Sequence, residues 1–359
     1  MNARARSGAP RLAALAAGVL LIEGCTSIGY YAQAIHGEVS LLAAARPLPE
    51  VIADPRTPPD LKRRLEIAAR IRDFASRELD LPRNASYTRY ADLKRPAAVW
   101  NVFATPELSM DLRSWCYPIF GCAQYRGYFS RDDAERLGAR LAAEGMDVDV
   151  DAIPAYSTLG WFSDPLLNTF IEWPEAELAR LVFHELAHQV VYVADDTVFN
   201  ESFATAVERE GVNRWIRDRN DPTLRDAYAA FERRRADITA LMLRFRERLK
   251  TLYDSGADPA TLRAGKRALF DELRASYADL RDHRWGGYAG YDRTFERHLN
   301  NAHLAAVGAY YDDVPAFEAL IQAHGGRMKE FFDDVRALAK LPAAERAARL
   351  AQAAAGRKA

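Results

Sequence analysis

Residues Glu175 to Tyr192 read EAELARLVFHELAHQVVY, with His184-Glu185-Leu186-Ala187-His188 near the centre. Leu178, Leu181, Val182, Leu186 and Val190 recur at helical spacing, so the stretch is expected to form a helix. Positions four apart on a helix share a face one turn apart, so His184 and His188 can reach a single ion. Zinc accepts neutral imidazole nitrogens and leaves a position for water. Glu185 lies beside the first histidine, where its carboxylate can take a proton from that water as it attacks a carbonyl. This is the physical reason for the HExxH spacing. Phe183, Leu186 and Ala187 are interleaved with the histidines, and unpaired imidazoles in so apolar a setting would be costly. One zinc ion is the expected cofactor, with His184 and His188 as ligands and Glu185 as general base.

A third ligand is expected from the next helix, which Phe199-Asn200-Glu201-Ser202-Phe203-Ala204 opens. Glu201 is the first choice, because an Asn-Glu pair starts that helix. Glu208 is the competitor, two turns further along on the same face. The longer ligand spacing of the large glutamate-type zinc peptidases favours Glu208. The carboxylate that does not bind the ion, and Asn200, are expected to orient a histidine from behind or to stand as alternative ligands.

The string from His184 to Gln189, followed by Tyr192, Asp196, Phe199-Asn200-Glu201, Phe203-Ala204, Val207-Glu208 and Gly211, resembles a family of bacterial putative aminopeptidases. These are exported or lipid-anchored, zincin-like proteins. Residues 125–129, residues 155–162 with Asp164-Pro165, and Asn300-Asn301-Ala302 resemble the family as well, so the matching pieces run from about Trp115 to Phe317. The resemblance implies a peptidase-like, gluzincin-like zinc site acting on a peptide substrate. The alternatives are a zinc endopeptidase, a cell-wall amidase, or a non-catalytic envelope lipoprotein that keeps zinc for structure.

Outside the motif, Leu61 to Leu79 has the spacing of an amphipathic helix, while residues 98–103, 124–129 and 148–153 have the aromatic and β-branched character of strands. Ser130 with Asp133 resembles a capping box opening a helix that ends at Gly145. After Phe199 the chain is expected to be almost wholly helical. Leu224–Tyr253 and Ala260–Arg281 would form a hairpin, with further helices over Tyr291–Tyr311, Val314–His324 and Arg327–Leu338. The fold class is therefore α+β and zincin-like: a small sheet packed on the motif helix, then a mostly α-helical C-terminal half. The expected organisation is a signal over 1–25, a tether over 26–60, a peptidase domain over 61–340 containing the hairpin 224–281, and an Ala/Arg-rich tail over 341–359 that frays.

Tyr125 begins a stretch suited either to an edge strand that receives an extended peptide or to an aromatic core strand. Tyr156 is a candidate cleft wall. A donor for the developing oxyanion is also needed, and His303 and Tyr310 are the candidates from the later helices. Cys116 and Cys122 are spaced for a small disulfide loop or for two free thiols.

The N-terminus sets the compartment. Arg4, Arg6 and Arg11 precede an uncharged apolar run from Leu12 to Ile22, too short to span a bilayer comfortably, and Gly24-Cys25 follows. This resembles a bacterial lipoprotein signal cleaved before a lipidated Cys25, although Glu23 stands where a small or apolar residue is usual. Thr26-Ser27 lacks an aspartate associated with inner-membrane retention. The expected location is the periplasmic face of the cell envelope, as an outer-membrane lipoprotein held by Cys25. Composition excludes a nucleic-acid partner: 49 basic and 50 acidic residues leave a net charge of -1 and no basic footprint. Arg233-Arg234-Arg235 is read as a solvated helix face.

Overall fold

Paired prolines and apolar spacing between Pro47 and Leu79 set the first layer. In the computed structural model, which describes residues 29–117, 121–158, 160–307 and 313–356, residues 29–44 are helical (α1). The short strand β1 (Arg46–Pro47) and helix α2 (Leu48–Ala53) follow. Helix α3 (Pro59–Glu78) begins on a proline, whose missing N–H would have had no helical acceptor, and buries Leu65, Ala68, Ile71 and Ala75. The stretch before α3 is more than a tether, since Leu41, Ala45, Leu48 and Val51 join the main core.

Next come β2 (Arg89–Ala91), β3 (Val99–Pro106), β4 (Trp115–Tyr117), β5 (Gly121–Ala123), β6 (Arg126–Tyr128), helix α4 (Arg131–Ala143), β7 (Met146–Ile153) and β8 (Leu166–Leu167). Ser130 caps α4 by accepting from the Asp133 N–H, as its spacing suggested. Cys116 and Cys122 are cross-strand partners in the β4–β5 hairpin and form a disulfide. The main sheet has the order β6-β3-β7, with both outer strands antiparallel to β3. Strands β6 and β7 are thus parallel to each other, and α4 is the crossover between them. A crossover helix folds back on the sheet it joins, and here Ala134, Leu137 and Leu141 cover Trp100, Val102 and Ala104. That face is therefore taken by α4, which corrects the expected packing of the sheet on the motif helix.

The motif helix α5 (Glu175–His188) packs instead against α3, α6 (Thr197–Arg219) and α7 (Pro222–Tyr253). Its Leu178, Leu181, Val182, Phe183, Leu186 and Ala187 are all buried. It stops at His188, short of the expected Tyr192. Asn200 explains the stop: its side chain accepts from the Val193 N–H at 2.8 Å and donates to the Val193 carbonyl at 2.7 Å. Both backbone groups of Val193 are thereby held in a bend rather than a helix.

Gly211 of α6 permits the close approach of α5. A Cβ there would lie 2.6 Å from Phe183 Cδ2 and 2.8 Å from Leu79 Cδ1. Gly211→Ala is expected to destabilise the protein by about 1–3 kcal/mol through overpacking. Urea unfolding checks this, and an unchanged midpoint with an unchanged slope would contradict it.

Helix α7 and α8 (Pro259–Asp279) form the hairpin, each started by an Asp cap followed by proline. A π-helical turn (Leu280–Arg284) leads to α9 (Asp292–Glu296) and α10 (Asn301–Val307), then α11 (Val314–Ala323), α12 (Met328–Ala339) and α13 (Ala343–Gly356). The single helix expected over Tyr291–Tyr311 is broken, because Asn300 and Asn301 bond elsewhere. Asn300 donates to the Val148 carbonyl, and Asn301 donates to the Glu107 and Ser109 carbonyls. The tail expected to fray is helix α13, with Leu350 in the main core and Arg346 donating to Asp196 at 3.0 Å. Cys25, the signal-like segment and Tyr310 lie outside the described residues. Among the described residues no helix is long and apolar enough to cross a membrane.

Candidate metal centre

The last turn of α5 and the second turn of α6 meet where α5 gives way to the bend tied by Asn200. Here His184, His188 and Glu201 each present one ligand atom, all within 4.8 Å of one another. His184 Nε2 lies 3.3 Å from Glu201 Oε2 and 3.2 Å from His188 Nε2, and His188 Nε2 lies 3.7 Å from Glu201 Oε1. Asp196 fixes the start of α6 by accepting from the Phe199 N–H at 3.0 Å.

Glu208 sits behind this group. It is fully buried, and its Oε2 lies 2.9 Å from His184 Nδ1. A proton on Nδ1 satisfies that contact and leaves the Nε2 lone pair facing Glu201 and His188. Two imidazole nitrogens and a carboxylate then converge with no proton needed between them, a donor set that fits a divalent cation. These three residues could hold a metal ion, and Glu208 is positioned as the carboxylate that orients His184. Glu208 is itself held by Arg180 at 3.2 Å and Arg235 at 3.0 Å. Arg235 comes from the run read as a solvated face, so that reading is corrected: one arginine of the three reaches under the site.

A family model described as "Putative aminopeptidase" matches residues 29–350. The chain belongs to this family. No curated protein and no solved structure matches it. Membership in the putative aminopeptidases implies a peptidase, a hydrolase of peptide bonds, and the electrostatics of the site bear on how such an enzyme would work.

Burial alone would lower the His184 pKa, but Glu201 and Glu208 outweigh it and raise the value to about 10. Burial dominates for His188, whose pKa falls to about 4. The metal-free pair thus holds one proton too many for ligation at neutral pH. Burial would raise both carboxylates, yet Glu201 is lowered by the histidines and Glu208 by Arg180, His184 and Arg235. A metal must displace the His184 proton, so affinity falls as pH falls. Each unit drop across the neutral range is expected to weaken the apparent affinity by about tenfold. Metal titrations at several pH values would show it, and a pH-independent affinity would contradict it.

Glu185 is pushed up to about 7, mainly by burial, against the opposing pull of His184. Ser157 lies within hydrogen-bond reach of both Glu185 and Asp164. Asp164 is 2 % exposed and also accepts from the Thr158 N–H and hydroxyl. Buried Tyr87 completes this side, its pKa raised by burial and then by Glu185 and Asp164. Ser157 and Asp164 stood in a family-like stretch with no role given to either, and Tyr87 had no motif at all. The loop before β2 brings Tyr87 here, and the loop between β7 and β8 brings Ser157 and Asp164. Gly160, at φ +84°, comes close to Gln189, the residue after His188.

The remaining candidates divide. Tyr125 immediately precedes β6, an edge strand of the main sheet, and its pKa is raised by burial and by Glu201. Tyr192 feels Glu201 in the same way. Both rings are partly exposed. Tyr156 packs edge-on to Phe129 and is coupled to Glu38 and Asp164, on the Glu185 side. His303 is not brought to the metal group. It is 8 % exposed, with Nε2 3.0 Å from Asp149 Oδ1 on β7 and Nδ1 3.1 Å from Asn300 Oδ1. It sits between α10 and the sheet, beside Asp149 and Asn300 and outside the group that could hold a metal ion. Asn200 likewise serves the Val193 bend rather than the ligand group.

Proposed function

We propose that this protein is a zinc-dependent aminopeptidase, exported and held to the cell envelope by a lipidated Cys25. The observation that carries the reading is the convergence of His184, His188 and Glu201 with Glu185 adjacent on the same helix. When bound, zinc would supply Lewis acidity, polarising the peptide carbonyl and acidifying a water. His184 and His188 offer their Nε2 atoms, and Glu208 keeps the His184 proton on Nδ1. Glu185 accepts the proton of the attacking water and returns it to the departing amine. A carboxyl with a pKa near 7 can do both at neutral pH. We assign donation to the developing oxyanion to Tyr125 or Tyr192, a reading supported by the influence of Glu201 on both hydroxyls. The Cys116–Cys122 disulfide supports an oxidising compartment, and the N-terminal pattern supports export.

The test is to strip the protein with a chelator, restore one equivalent of zinc, and follow hydrolysis of unblocked dipeptides. Activity is expected to vanish and return with the metal. Equal activity with and without metal would contradict the proposal.

A further inference from the structure

The side of the site beyond Glu185 carries an unused carboxylate. Ser157 links Glu185 to Asp164, and Asp164 in turn acts electrostatically on Glu38 of α1. Asp164 has its partners in Ser157 and Thr158. Glu38 has none: both carboxylate oxygens are buried, and among the described residues neither has a hydrogen-bond partner. Among the described residues no lysine or arginine acts on it, and its pKa rises to about 7 through burial and then through Asp164. A buried carboxylate without a cation is costly to the fold, and two neighbouring ones call for a positive charge from outside. The wall around it is aromatic: a Cβ on Gly37 would strike the Phe129 ring, and Tyr156 stacks edge-on against that ring. Such a wall suits the apolar part of a cationic ligand.

We propose that Glu38 binds a primary ammonium group of the substrate, which makes α1 part of the substrate site. This rests on the peptidase reading for what the ligand is. The ammonium is supplied either by a free peptide N-terminus or by a lysine side chain.

The test is calorimetric binding to the full-length, zinc-loaded Glu185→Ala protein, with and without Glu38→Gln. The probes are Leu-Gly-Gly, N-acetyl-Leu-Gly-Gly and N-acetyl-Lys-Gly-Gly. At least one cationic probe is expected to bind about 30-fold more tightly than N-acetyl-Leu-Gly-Gly, the low end for a buried charge pair, and Glu38→Gln should abolish the difference. Loss for Leu-Gly-Gly assigns the α-amine, and loss for the lysine peptide assigns the side chain. Equal binding of all three, or a preference that survives Glu38→Gln, would overturn the proposal. Glu38→Gln keeps the volume and removes an unpaired charge, so its Tm should be no lower than that of its parent; a lower Tm would mean that Glu38 serves the fold and would also overturn it. A Glu38-dependent preference in a protein that never cleaves peptides would sink the peptidase reading alone. Cleavage without any such preference would sink this inference alone.

Discussion

Replacing Glu185 by alanine is expected to lower kcat by about 10²–10⁴-fold, the usual contribution of a positioned general base, while metal content stays unchanged. The two halves of this expectation have separate causes. Glu185 lies next to His184 in the sequence, yet it is not one of the three converging ligands. Its removal should leave the donor atoms of His184, His188 and Glu201 where they are. Proton transfer has no obvious substitute, because the nearest other carboxylates are committed: Glu201 to the ligand group and Asp164 to Ser157 and Thr158. Steady-state kinetics beside elemental analysis of the purified variant gives both numbers. Metal loss in Glu185→Ala would make Glu185 a ligand and reassign the site.

Glu201 and Glu208 should separate in the opposite way. Glu201→Ala removes one of three ligands, and its metal affinity should fall by more than the about 10–100-fold expected when only an orienting group is lost. Its fold should be little affected, since Glu201 is partly exposed. Glu208→Ala should lower metal affinity by about 10–100-fold and also cost about 3–5 kcal/mol of stability. That cost arises because Arg180 and Arg235, each with only 18 % of the side chain exposed, would face each other without their shared carboxylate. Elemental analysis and urea unfolding of both variants test the pair. A stable Glu208→Ala protein that binds no metal, beside a Glu201→Ala protein that binds it normally, would exchange their roles.

The parts of this arrangement that follow local rules were legible in the sequence. Helical spacing located α5, and four-residue spacing put His184 and His188 on one face. The Asn-Glu pair pointed to Glu201, which lies with His184 and His188 in the group that could hold a metal ion. Ser130 marked a helix start correctly because capping depends on neighbours in the chain. What was not legible depends on distant partners. Arg235 looked like surface charge because nothing near it in sequence reveals that it reaches Glu208 from α7. Asn200 and Asn301 looked like part of a functional motif because their bonds to Val193, Glu107 and Ser109 depend on the folded chain. The end of α5 was misplaced for the same reason: periodicity continues to Val190, but a side chain from α6 captures the backbone at Val193. Glu38 carried no signal, since an orphaned carboxylate is a property of its surroundings.

The central claim is that this site hydrolyses peptides from the amino end. It is tested most directly by mass spectrometry of a diverse peptide mixture incubated with the zinc-loaded protein, beside its Glu185→Ala variant. The account predicts stepwise loss of N-terminal residues with the wild type and intact peptides with the variant. Internal cuts, or identical products from both proteins, would contradict it.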